Sequence, residues 1–107
     1  MVDLPDEFVR AVREGRFRDA ATDKDLQNRG ATANDPVSRA LLILAAAHHL
    51  ASTGNIEGAR LTVGRAVQFL EQAPLDPFAM LLIEHSRAAL TALADGKPLP
   101  DLPLNFR

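Results

Sequence analysis

The run 40–51 is apolar except for His48 and His49, and both of its ends are marked. Asp35 is a natural N-cap, because its carboxylate accepts from the free amides of a first helical turn. Pro36 suits the first helical position, where the amide it lacks has no partner to lose. Gly54 takes readily to the left-handed conformation that closes a helix, and Asn55 is placed to cap the next one. The segment predicts a central helix over 36–53, apolar around most of its circumference and therefore enclosed by other helices.

The same periodicity predicts four more helices. The first starts near Pro5, with Asp3 as a cap, and ends at Gly15. Phe8, Val9 and Val12 form its apolar stripe, while Asp6–Arg10 and Arg10–Glu14 stand at i,i+4 spacing on the wet side. A weaker helix over 16–28 turns Phe17, Ala20, Ala21 and Leu26 inward, and 30–34 reads as a loop leading to the Asp35 cap. After Asn55, the residues Ile56, Ala59, Val63, Ala66, Val67 and Leu70 share one face of a helix that ends before Pro74. The last helix opens on Asp76-Pro77, the device already seen at Asp35-Pro36, and closes at Asp95-Gly96. Its stripe is Phe78, Leu81, Leu82, His85, Ala89 and Ala92. The tail 97–107 is punctuated by Pro98, Pro100 and Pro103 and cannot continue as helix. It is expected to run extended, with its leucines against the bundle.

A short internal echo links two of these turns. Gly15-Arg16-Phe17-Arg18-Asp19-Ala20 and Gly54-Asn55-Ile56-Glu57-Gly58-Ala59 share the pattern Gly-x-apolar-x-x-Ala. Tetratricopeptide-type hairpins use this pattern at their tight turn, where the Ala lets two helices approach closely. Two copies predict two antiparallel hairpins in one globule; a repeat array, which usually needs at least about three units, is the alternative. The expected architecture is all-α: a compact bundle of about five helices around the central one, a single domain over 1–107, with an extended C-terminal strap.

A chain of 107 residues buries enough surface to fold without metals or cross-links. Its five Phe, without Trp or Tyr, leave a core dominated by Ala and Leu, as in closely packed helices. The absence of Cys removes disulfides, thiolate metal sites and cysteine nucleophiles, and fits a cytoplasmic location. The acidic start, Met1-Val2-Asp3-Leu4-Pro5-Asp6-Glu7, has no apolar segment of the kind a signal peptide carries. The run 40–51 is too short to span a bilayer, so no membrane role is expected. A net charge of −2, from 12 basic and 14 acidic residues, gives no general attraction to nucleic acid or anionic lipid.

His48 and His49 are the first candidates for chemistry. At about 100° per residue, His49 falls with Ser38, Arg39, Ser52 and Thr53 on the polar strip, and His48 at the edge of the apolar face near Val37 and Leu41. Beside Arg39 they suggest a metal ligand or proton carrier in a crevice. The plainer alternative is one solvated His and one boundary His bonded to a carbonyl. Adjacent histidines diverge on a helix, and no His-Glu-x-x-His is present, so no metal site or cofactor is expected from this pair. Glu84-His85 is the second candidate. His85 lies on an apolar stripe, with Glu84 beside it and Arg87 one turn on: a general base in one reading, a space-filling core-edge ring in the other. Arg10, Arg13, Arg16 and Arg18 form the one basic concentration, diluted by Asp6, Glu7, Glu14 and Asp19 and without Tyr or Trp to stack bases. A solvated, ion-paired face is the expectation there. No phosphate loop or nucleophile elbow is found.

The segment 41–73, above all His48-His49-Leu50 and Thr53-Gly54-Asn55-Ile56-Glu57-Gly58-Ala59-Arg60, resembles a small prokaryotic all-helical family, domain-of-unknown-function family 309. Leu93-Ala94-Asp95-Gly96-Lys97-Pro98-Leu99-Pro100 resembles the way those domains finish, and Glu14-Gly15-Arg16-Phe17 the way their second helix begins. The resemblance implies an all-helical fold and carries over only His48 and His49 as site residues. Members usually have a His-Glu pair, further acids and a Trp just after the Gly-x-aromatic turn. Here that stretch is Ala20-Ala21-Thr22-Asp23-Lys24-Asp25-Leu26, with Ala21-Thr22 at the His-Glu position. The family brings no established activity.

These observations lead to the expectation of a non-enzymatic structural or protein-interaction module with no catalytic residues. Its partner would be another protein or a second copy of the chain, drawn by apolar surplus on the shorter helices and tail. The alternatives are a degenerate metal or small-molecule site using His48, His49, Arg39, Glu84 or His85, and a nucleic-acid accessory using the Arg10–Arg18 face.

Overall fold

The computed structural model describes residues 4–32, 35–73 and 76–104. Among the described residues six helices follow one another: α1 (Asp6–Arg13), α2 (Phe17–Ala21), α3 (Lys24–Thr32), α4 (Pro36–Ser52), α5 (Ile56–Leu70) and α6 (Pro77–Asp95). The fold is an all-α bundle, and no strand occurs among the described residues.

The central helix is α4, against which α2, α3 and α5 pack, while α6 lies on α5 and α1 on α2. From 36 to 51 no residue of α4 is exposed. Ala40, Leu41, Leu44, Ala45 and Ala47 are completely covered. The small alanines let neighbouring backbones approach, and Leu41 and Leu44 fill the space between them, giving the close packing of a folded interior.

The caps form as the sequence leads one to expect. The Val37 amide donates to Asp35 Oδ1 at 3.1 Å, Phe78 to Asp76 Oδ1 at 2.9 Å and Gly58 to Asn55 Oδ1 at 2.9 Å. Asp35 also accepts from the hydroxyl of buried Ser38 at 2.7 Å. Asp35→Ala therefore strips two donors of their acceptor and costs roughly 1–2 kcal/mol by denaturant unfolding, whereas Asp35→Asn retains most of that.

The echoed turns are alike in three dimensions. Gly15 and Gly54 both have positive φ, 77° and 86°, which a side chain would strain. One residue later, the Arg16 amide donates to the Ala11 carbonyl at 2.7 Å and the Asn55 amide to that of Leu50 at 2.9 Å, the bond that closes a helix ending on a left-handed glycine. Ala20 and Ala59 are both fully buried where the next helix meets its neighbour.

Three expectations need correction. The helix over 16–28 is two helices, because Asp23 captures the Leu26 amide at 3.0 Å and starts α3 afresh, while the Thr22 hydroxyl donates to the Arg18 and Asp19 carbonyls at the end of α2. Gly30, read as loop, is helical. A Cβ there would stand 2.8 Å from Arg39 Cγ, so the glycine serves the close passage of α4. Ile56 is 45% exposed, although Ala59, Val63, Ala66 and Leu70 of the same face are buried. The Asp3 cap, Pro74 and residues 105–107 lie outside the described residues.

The strap lies on the bundle. Leu102 and Leu104 are buried with Leu4, Phe8 and Val9 among the core residues, and Leu99 is half-buried. No helix among the described residues is long and apolar enough to cross a membrane.

Candidate functional site

His48, in the penultimate turn of α4, and His85, midway along α6, are each 7% exposed. Each stands on the apolar face of its own helix, so the packing that buries those faces brings the two rings together. Their Nε2 atoms are 3.4 Å apart, the ring centroids 5.5 Å apart and the ring planes within 6°. Phe17, at the start of α2, stacks on His48 with centroids 4.6 Å apart and planes at 28°. The strap completes the arrangement. Buried Leu102 and Leu104 pin it, and the backbone of the preceding Asp101 comes near His85 and favours its protonated form.

Both rings are poor proton acceptors. His48 is lowered to about 4, chiefly because burial penalises its charged form and secondarily because His85 is near; the Asp101 charge opposes this. His85 is also lowered by burial, against the nearby backbone and the charge of Asp101. Near neutral pH both imidazoles are therefore neutral. A general base works best with a pKa near the working pH, so His48 is ill matched to that task. Neutral rings suit hydrogen bonding, packing or metal ligation.

Beside His48 lies a groove of about 600 Å³. Phe17, Ala51, Ile56, Leu93, Pro98 and Leu99 supply its apolar walls, and Ser52, Lys97 and Asp101 its polar rim. A second recess of about 330 Å³, lined by Val12, Arg13, Leu102 and Leu104, shares Phe17 and Asp101 with it.

The remaining candidates stand apart from this centre. His49 is half-buried on the next position of α4, and Glu84 is exposed on α6. Arg39 is occupied elsewhere: its Nε donates to the Gly30 carbonyl at 2.9 Å, and its guanidinium lies 5.7 Å from the centre of the Phe69 ring. It ties α4 to α3 and α5, and it does not line the groove. In the arginine-rich segment, Arg10 pairs with Glu7 and Arg16 with both Glu14 and Asp19, all at the surface.

Sequence reasoning missed the meeting of His48 with His85 and the parts played by Phe17 and Asp101. A signal for the first was present: one histidine interrupts the apolar face of each of two long helices, and two such interruptions are most cheaply buried against each other. Nothing local marked Asp101, whose position depends on where the strap crosses the bundle. No protein family, curated protein or solved structure matches this chain.

Proposed function

We propose that this chain is a non-enzymatic helical interaction module that associates with a second copy of itself through the groove beside His48. The observation that supports this is the groove itself, with Ile56 projecting at its edge, 45% exposed beside the apolar recess of Leu93, Pro98 and Leu99. A patch that carries both a projection and a hollow is self-complementary, as a two-fold dimer requires. Large aliphatic surface left uncovered by the fold commonly marks an association site. Cytoplasmic location and the relationship to family 309 belong to the same proposal, resting on the composition and on the residues quoted for each.

Light scattering over a range of concentrations tests it. The mass of the wild type should rise towards twice the monomer, and Ile56→Glu should hold the protein monomeric with unchanged helix content and with the melting temperature of the dilute, monomeric wild type. A wild type that stays monomeric into the millimolar range overturns it. Nucleic-acid binding has less support, since two of the four arginines already hold carboxylates. A site built on the central-helix histidines is favoured by one specific observation, the convergence of His48 and His85.

A further inference from the structure

We infer that His48 and His85 form a two-histidine clamp for a borderline divalent metal ion of the zinc type, with the ion's remaining positions open towards the groove. Independently of self-association, four features of the pair point there. The first is distance. Two nitrogens bound to one tetrahedral zinc at about 2.0–2.1 Å lie about 3.3 Å from each other. The Nε2 atoms stand 3.4 Å apart, longer than the roughly 2.7–3.2 Å of a well-formed hydrogen bond from a ring N–H. Little movement is needed to admit the ion.

The second is support behind the ligands. Metal-binding histidines usually engage their other ring nitrogen with a carbonyl or carboxylate, which fixes the ring and its tautomer. The Asp101 backbone near His85 favours the protonated ring, as a carbonyl acceptor does. The Phe17 ring, stacked on His48 at 4.6 Å, fixes the other imidazole. The third is rigidity, since the two ligands come from the two longest helices, α4 and α6. The fourth is charge and access. Asp101 acts electrostatically on both rings, offsetting part of the ion's charge, and His48 and Asp101 both line the groove.

No three ligand-type side chains converge among the described residues, so the protein supplies two donors. Water, or a donor from whatever occupies the groove, completes the shell. The competing arrangement is a plain N–H···N bond between two neutral rings, which takes up no metal.

Zinc titration of the chelator-treated, untagged protein at pH 7.5 distinguishes them. About one equivalent should bind saturably, and imidazole nitrogen NMR should show the Nε2 resonances of His48 and His85 moving while those of His49 stay. Cobalt should give the absorption bands of a tetrahedral site. His48→Gln and His85→Gln should each weaken binding by roughly tenfold or more, and His49→Gln should not. The NMR arm uses only the wild type and so survives a variant that fails to fold. Absence of saturable binding at millimolar zinc, or undiminished binding in the doubly substituted protein, overturns the inference.

Discussion

Replacing Leu44 by Ala destabilises the protein by about 2–5 kcal/mol. Leu44 is completely buried in α4, which α2, α3 and α5 together cover. Removing its branched end loses the transfer free energy of three carbon groups. It also opens a hollow that rigid neighbouring helices fill only in part. A domain of this size has roughly 5–15 kcal/mol in total, so one substitution takes a large share. The midpoint of thermal unfolding should fall by roughly 10 °C or more. Leu61 is the internal control. It sits on α5 but is 62% exposed, and Leu61→Ala should change stability by no more than about 0.5 kcal/mol. Denaturant unfolding of the two variants side by side measures the difference. Equal losses, or a loss below about 1 kcal/mol at Leu44, contradict an enclosed α4.

Why that helix was legible in the sequence, and the site was not, has a physical answer. The ends of α4 and α6 are written in local chemistry: Asp35-Pro36 and Asp76-Pro77 make their capping bonds within two residues, and Gly54 and Gly96 take positive φ just past the helix ends. Such signals need no knowledge of the rest of the chain. The break at Asp23 is local too, but one side chain capturing the Leu26 amide decided the matter inside an otherwise continuous helical pattern. Gly30 misled for a different reason. Glycine is a poor helix former on propensity alone, and here the close passage of Arg39 calls for it.

The site is non-local throughout. His48 and His85 are 37 residues apart, and Asp101 arrives on a segment with no periodicity to place it. Helical spacing showed that each histidine lay on an apolar face, but not that the faces met at those two residues. Ile56 shows the limit of periodicity from the other side. It keeps the spacing of the buried stripe, yet it stands at the first position of α5, beyond the reach of the packed neighbours. Apolar residues at a helix end are thus candidates for groove walls as much as for core.

Between pH 6.5 and about 4 the chelator-treated protein should lose stability steeply, with the two buried histidines as the cause. An unfolded chain takes up protons on histidine around pH 6.5. In the folded chain His48 is held down to about 4 by burial and by the neighbouring His85, and His85 is also lowered by burial. In that window the unfolded state binds more protons than the folded one, so acid favours unfolding. The contribution is fully present above pH 6.5 and drains away as the pH falls through the window. Each ring adds a slope of up to about 1.4 kcal/mol per pH unit while its two states differ, and His48 alone accounts for about 3 kcal/mol over the whole range. Geometry reinforces the direction. With one extra proton the two Nε2 atoms can share an N–H···N bond, but a second proton sets two N–H groups head to head across 3.4 Å. The doubly charged pair is therefore the state the fold tolerates least. Asp101 moderates the effect, since its charge favours protonation of both rings, and Asp101→Asn should move the acid transition to higher pH. Unfolding midpoints measured at half-unit steps from pH 7.5 to 4 give the slope directly. Substituting both histidines by Gln should lower stability at pH 7.5 and flatten the curve in this window. An unchanged slope in that variant would place the acid sensitivity elsewhere in the molecule.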